Sequence, residues 1–226
     1  MSLPLSEIAF DDAVDAELRG QRVAMPLAPD DPAWLRIRAE ALRILEGRGS
    51  ILHVALEVSR LLATAGFSTP IIGGVAVVLH GYLRTTRGVD VLVDDDLDYV
   101  GVELNEAGYS YGSDGFGRDG VPIRLVPIAE TGLMAFLPTE IDGITTVGLA
   151  DLIAMKLRSG WKNLIRSLDL ADAIGLIRRH ELGAEFAAQL PKDVRRAYHK
   201  IVKAILAERQ RIGCSQPDDG SHPHAT

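Results

Sequence analysis

The chain has 226 residues, 47% hydrophobic and 24% charged, which are the proportions of a folded globular protein and exclude disorder over most of its length. Its 31 carboxylates outnumber the 24 Lys and Arg, and the net charge of −7 excludes broad coating of duplex nucleic acid. The single cysteine, Cys214, allows no internal disulfide, no apolar run approaches a membrane span, and the acidic start is unlike a signal peptide. The expectation is a cytoplasmic protein with no membrane partner.

Residues 1–32 read as an N-terminal arm ending among Pro26, Pro29 and Pro32. Apolar residues then recur at helical spacing from Ala33 to Gly47, after an Asp31-Pro32 cap, and from Ile51 to Ala65, before a stop at Gly66. Phe67 to Ile72 reads as a short strand running into Gly73-Gly74, and Val75 to Leu83 as a buried helix. Gly88 to Asp94 alternates, with Val89, Val91 and Val93 on one face and Asp90, Leu92 and Asp94 on the other, so it is a strand. Asp95 to Glu106 is a helix. Tyr109 to Tyr111 and Val121 to Ile128 form a hairpin across the turn Gly112 to Gly120, with Pro122 and Pro127 marking the second strand as irregular or an edge. Ile144 to Val147 is a short strand, followed by helices over Leu149 to Arg158, Leu164 to Arg179 (with a stripe of Ile165, Leu168, Ala171, Ile174 and Ile177) and Asp193 to Arg211. The fold class is α+β: a mixed core with its leading helices over 33–147, a helical block over 148–212 and a disordered tail over 213–226.

The chemistry concentrates between Ile71 and Val93. Two glycines between an apolar strand and a helix let a phosphate approach backbone N–H groups, and the strand that follows brings Asp90 to the same end. Such a layout holds a nucleoside triphosphate while a carboxylate holds Mg2+; a plain strand-to-helix turn is the other reading of the glycines.

The series Gly73-Gly74, Arg84-Thr85-Thr86 and Asp90 resembles the nucleotidyltransferase superfamily, in particular minimal bacterial members akin to abortive-infection and toxin–antitoxin nucleotidyltransferases. The likeness continues in Leu152-Ile153-Ala154-Met155-Lys156-Leu157 and in the Asp169-x-x-Asp172 helix, and spans about residues 50–180. It implies a mixed sheet flanked by helices. It also implies a triphosphate at Gly73 and Gly74, Mg2+ on a catalytic Asp90, phosphate contacts from Arg84, Thr85, Arg87 and Lys156, and a protein or tRNA hydroxyl as acceptor.

The departures from that pattern carry equal weight. The first Asp of the motif falls on Gly88, and the position of the third carboxylate is taken by Arg124. Two-metal transfer needs about three carboxylates around cations ~4 Å apart, and one Asp does not supply them. Asp94 and Asp96 read as strand-end and cap residues, with rescue of a metal site by either as the other reading. Arg124, joined by Arg84, Arg87 and Lys156, makes a phosphate site without metal conceivable, or else faces solvent on its hairpin. Lys156 is either such a ligand or an exposed helix lysine, and Asp169 and Asp172 pair with Arg166 or Arg158. Two functions stay open: a degenerate member binding nucleotide phosphate or a partner, and an active Mg2+-dependent enzyme. His53, His80, His180 and His199 read as core or surface histidines, His222 and His224 as tail residues, and Trp34 and Trp161 as helix anchors. The cluster Lys192, Arg195, Arg196, Lys200 and Lys203 is a solvated face or a contact for RNA or a partner.

Overall fold

A computed structural model describes residues 50–94, 97–112, 115–161 and 163–213. The arm, the helix expected from Ala33 to Gly47, Asp95, Asp96 and the tail beyond Gly213 lie outside the described residues, with Trp34, Cys214, His222 and His224 among them. All the described residues belong to one compact unit of the chain, which starts at Ala41.

In chain order the elements are α1 (Ser50–Thr64), β1 (Ile71–Ile72), α2 (Gly73–Leu79), β2 (Val89–Val93), α3 (Leu97–Glu106), β3 (Ser110–Gly112), β4 (Gly115–Arg118) and β5 (Val121–Pro127). There follow α4 (Ile128–Thr131), β6 (Pro138–Ile141), β7 (Ile144–Val147), α5 (Leu149–Trp161), a 3-10 turn (Leu164–Arg166), α6 (Ser167–Arg179), a second 3-10 turn (Ala184–Gln189) and α7 (Lys192–Gly213). The seven strands form one mixed sheet in the order β3-β4-β5-β2-β1-β7-β6, with β2 parallel to β5 and β1 parallel to β7. The α+β expectation holds.

The alternation of β2 sorts the core into two layers. Val89, Val91 and Val93 join Ile71, Ile123 and Ile144 beneath α1 and α3, whose Val54, Val58, Leu62, Val100 and Leu104 are buried there. On the opposite face Ile72, Leu92 and Val126 pack with Leu152, Ile153, Leu157, Leu176, Tyr198 and Ile201 from α5, α6 and α7. Burying apolar surface on both faces of a sheet is the main stabilising term in such an architecture. Asp90 therefore shares its face with the helical block.

Four expectations need correction. The glycine-rich segment after β3 is not one long turn: it holds β4, and the reversal itself is Asp119-Gly120, with φ of 54° and 76°. A two-residue turn with both φ positive matches the right-handed twist of the strands it joins, and Asp-Gly tolerates it best. The same dipeptide, Asp142-Gly143 (φ 52° and 76°), closes a hairpin between β6 and β7, where the apolar pattern predicts a loop and a lone strand. β5 is interior, between β4 and β2; Pro122 precedes the first residue paired with β2 and Pro127 is the last one, so the missing N–H groups fall at its ends. Finally, the buried face of α6 comprises Asp172, Ala173, Gly175, Leu176 and Ile177, while Leu168 and, just before the helix, Ile165 stand 58% and 93% exposed. A polar residue holds the centre of the stripe because its charge is compensated inside, as shown next.

The histidines behave as structural groups. His80 Nε2 donates to the Val147 carbonyl at 2.9 Å, and burial pushes its pKa below the usual 6.5, so it is neutral near pH 7. His180 Nε2 donates to the His80 carbonyl, and His53 lies beside Glu57 on α1.

Candidate functional site

A cleft of about 630 Å³ opens where β1, β2 and β5 meet α4, α5 and α6, lined among others by Gly73, Gly74, Arg84, Thr86, Asp90, Arg124, Lys156 and Asp169. The parallel pairing of β2 and β5 sets its floor, because Asp90 stands in register with Arg124, and on its other side with Ile72. Neighbours in a row point to one face, so the carboxylate and the guanidinium meet: Arg124 Nε donates to Asp90 Oδ1 at 2.9 Å. Their side chains are 58% and 25% exposed, so the pair stands at the open edge of the cleft, and its hydrogen bond raises the Arg124 pKa above the ordinary value.

The glycines serve this approach. Gly73 has φ of +68° and begins α2; a Cβ there would lie 2.0 Å from Asp90 Oδ2. A Cβ on Gly74 would meet Thr86 Oγ1 at 2.4 Å and Arg84 Nη2 at 2.9 Å. The room that a side chain would need at the twin glycines is thus taken by the chain's own Asp90, Thr86 and Arg84, while the backbone of both glycines still lines the cleft. Gly88 is closed in the same way, since a Cβ there would stand 2.4 Å from the Pro122 carbonyl oxygen. An aspartate at position 88, which the motif calls for, cannot be seated without moving β5.

Behind the cleft lies a second charged group. Asp172 is fully buried and bridges two cations: Arg84 Nε at 2.7 Å from Oδ1 and Lys156 Nζ at 2.8 Å from Oδ2. Lys156 also donates to Asp169 Oδ1 at 2.7 Å, and Ser159 Oγ (2.5 Å) and Arg166 Nε (3.0 Å) donate to Asp169 Oδ2. Burial alone would push the Asp169 carboxyl up, but the donors Lys156, Ser159 and Arg166 outweigh it and hold its pKa below the usual 3.8.

Of the residues expected at the site, Gly73, Gly74, Arg84, Asp90, Arg124 and Lys156 come together in one cleft. Thr85 and Arg87 do not: both are exposed and neither lines it, and Thr86 points there in their place. Lys156 is not an exposed helix lysine but a buried one, and Arg158 pairs with Asp193, not with Asp169 or Asp172. Arg166, Ser159 and Glu130 are lining residues not named as ligands from sequence; Arg166 and Ser159 belong to the Asp169 network, whose i−3 spacing was the available signal.

The donor set does not fit the Mg2+ implied by the resemblance. One expected carboxylate position is a sterically closed glycine, another is an arginine, and that arginine already binds the carboxylate that remains. Among the described residues no three His, Cys, Asp or Glu side chains gather as a metal site, and Asp94 is exposed beyond the end of β2.

No protein-family model matches the chain, and no curated protein is similar to it in sequence. Solved structures with some likeness of course include an antigenic nucleotidyltransferase-like protein from Paracoccidioides brasiliensis (14% identity, 77% of this chain and 92% of that one, TM-score 0.46). Another is ANT(2")-Ia in complex with adenylyl-2"-tobramycin (12% identity, 68% and 94%, TM-score 0.44). A third is the Megavirus polyadenylate synthase (14% identity, 80% and 40%, TM-score 0.40), so the chain spans less than half of that protein.

Proposed function

We propose that this is a nucleotidyltransferase-fold protein of the minimal bacterial type that binds the phosphates of a nucleotide without a divalent cation and has lost group transfer. The observation that carries the reading is the Asp90–Arg124 pair, in which a fixed guanidinium stands beside the one remaining motif carboxylate. Five basic side chains line the cleft (Arg84, Arg124, Lys156, Arg158 and Arg166) against three acidic ones (Asp90, Glu130 and Asp169). Arg84 and Lys156 are held by the buried Asp172 and Arg158 by Asp193, so Arg124 and Arg166, 58% and 53% exposed and each bonded to a carboxylate through Nε, are the cations with Nη groups to turn to an anion. The order of motifs from Gly73 to Asp172 supports a nucleotide as the source of that anion.

Mg2+ has no role in this mechanism. The chain's own residues do the work: Arg124 supplies the charge that a cation would otherwise bring, Asp90 orients Arg124, and the Lys156–Asp169–Asp172–Arg84 group fixes the wall of the cleft. With Gly88 and Arg124 at two of the motif's carboxylate positions and Asp90 held by Arg124, the residues that would seat a pair of cations for transfer are not supplied.

Calorimetric titration with ATP, once with Mg2+ and once with EDTA, tests the reading. The expected affinities agree within about threefold, and Arg124→Gln weakens both by about tenfold or more, or ~1.4 kcal/mol. Binding that requires Mg2+ overturns it. Labelled nucleotide incorporated into the protein or into tRNA, with the label lost in Asp90→Ala, establishes the active Mg2+-dependent enzyme instead.

A further inference from the structure

α7 carries charge that the cleft does not use. Lys192, Arg196, Lys200 and Lys203 fall on one stripe of the helix, all exposed, over about 16 Å. The rotation of the helix is fixed by its other face, where Val194, Tyr198, Ile201 and Ile205 are buried. Asp193, beside Lys192 on the same helix, is bound by Arg158 Nε and Nη2 at 2.7 and 3.1 Å. No carboxylate among the described residues pairs with any of the four. Lys200 Nζ stands 5.6 Å from the ring centroid of Trp161, the last residue of α5, which is 41% exposed.

From this geometry we infer that the α7 stripe with Trp161 is a binding track for a single-stranded nucleic acid. Successive cations, one helical turn apart, follow a phosphodiester chain, and an indole held beside an ammonium gives a base a flat surface to stack on. An acidic polypeptide would use the cations and leave the ring without a matching partner. A duplex needs a broad positive field, whereas the chain is net acidic and offers one helix width of positive charge. Arg158 belongs both to the cleft lining and to the α5–α7 seam, so the track starts at the rim of the cleft. The inference does not require the cleft to hold a nucleotide.

The full chain carrying Trp34→Phe, which leaves Trp161 as its single tryptophan, is titrated with short oligo(rU) and oligo(dT) while tryptophan emission and the anisotropy of labelled oligonucleotide are followed. Expected results are quenching on binding, affinity that falls steeply with added salt, and a loss of about tenfold or more in the double variant Arg196→Glu/Lys203→Glu. Trp161→Leu should weaken binding roughly fivefold to a hundredfold. The preference between oligo(rU) and oligo(dT) tells RNA from DNA, and either supports the track. Circular dichroism and thermal unfolding confirm that the surface variants fold. Arg124→Gln should leave oligonucleotide affinity within about twofold, which separates failure of this track from failure of the cleft reading. No quenching and no anisotropy change up to roughly 100 µM protein at low salt overturns the proposal. So does binding unchanged in the double variant, or polyglutamate binding as tightly as the oligonucleotides.

Discussion

The two acid–base groups of this protein are built from the same chemistry and differ in burial. Asp172 is fully enclosed and shared by Arg84 and Lys156, whereas Asp90 and Arg124 meet at the cleft's open edge, a quarter and more than half exposed. In a low dielectric a carboxylate without its partners carries an uncompensated desolvation penalty; at the surface water replaces a lost partner. The buried group therefore ties α5 and α6 to the connection between α2 and β2, and the open pair is available to exchange one partner for a ligand.

The largest expected effect is in the buried group. Asp172→Ala leaves Arg84 without its carboxylate in the interior and Lys156 with Asp169 alone, and should cost about 3–5 kcal/mol in urea unfolding, with Asp172→Asn costing less. A loss under ~1 kcal/mol would erase the distinction between the two regions.

Gly73→Ala comes next. It places a Cβ at φ +68° and 2.0 Å from Asp90 Oδ2, and should cost about 1–3 kcal/mol. In a double-mutant cycle with Asp90→Ala part of that cost should be recovered, since the clash is with the carboxylate; full additivity would show the backbone conformation alone to be responsible.

Acid titration separates the regions further. The folded pKa of Asp169 lies below its unfolded value of 3.8, so its contribution is complete well above pH 3.8 and is lost as pH falls through the lower folded value. Thermal midpoints measured downward from pH 5 should fall less steeply in Asp169→Asn than in the parent. Parallel curves would mean that its donors do not stabilise the ionised form.

The smallest expected change in stability is at the open pair. Arg124→Gln should alter unfolding by less than about 1 kcal/mol while abolishing most anion binding, because an exposed ion pair contributes little to folding. A change as large as that of Asp172→Ala would make the pair structural and remove the basis for reading it as a ligand site.

Much of this was legible in the sequence. The alternation in β2 named the two faces that the two cores occupy, and the glycines, Asp90, Arg124 and Lys156 were recognisable as one constellation. The two Asp-Gly turns were equally readable and define both hairpins that the strand pattern alone missed. The α6 stripe was misread because apolar periodicity cannot show that Asp172 is paid with two cations from other elements.

Composition, period and motif order by themselves determined the α+β class, the apolar layers and the shortage of carboxylates, because those depend on residue type and local spacing. Only the tertiary structure decided that Arg124 bonds Asp90, that Pro122 closes the space at Gly88, that Lys156 is buried, and that Thr86 and not Thr85 reaches the cleft. Each of these depends on strand register or on contact between residues far apart in the chain, and such distances are set by packing, not by the neighbours of a residue in sequence.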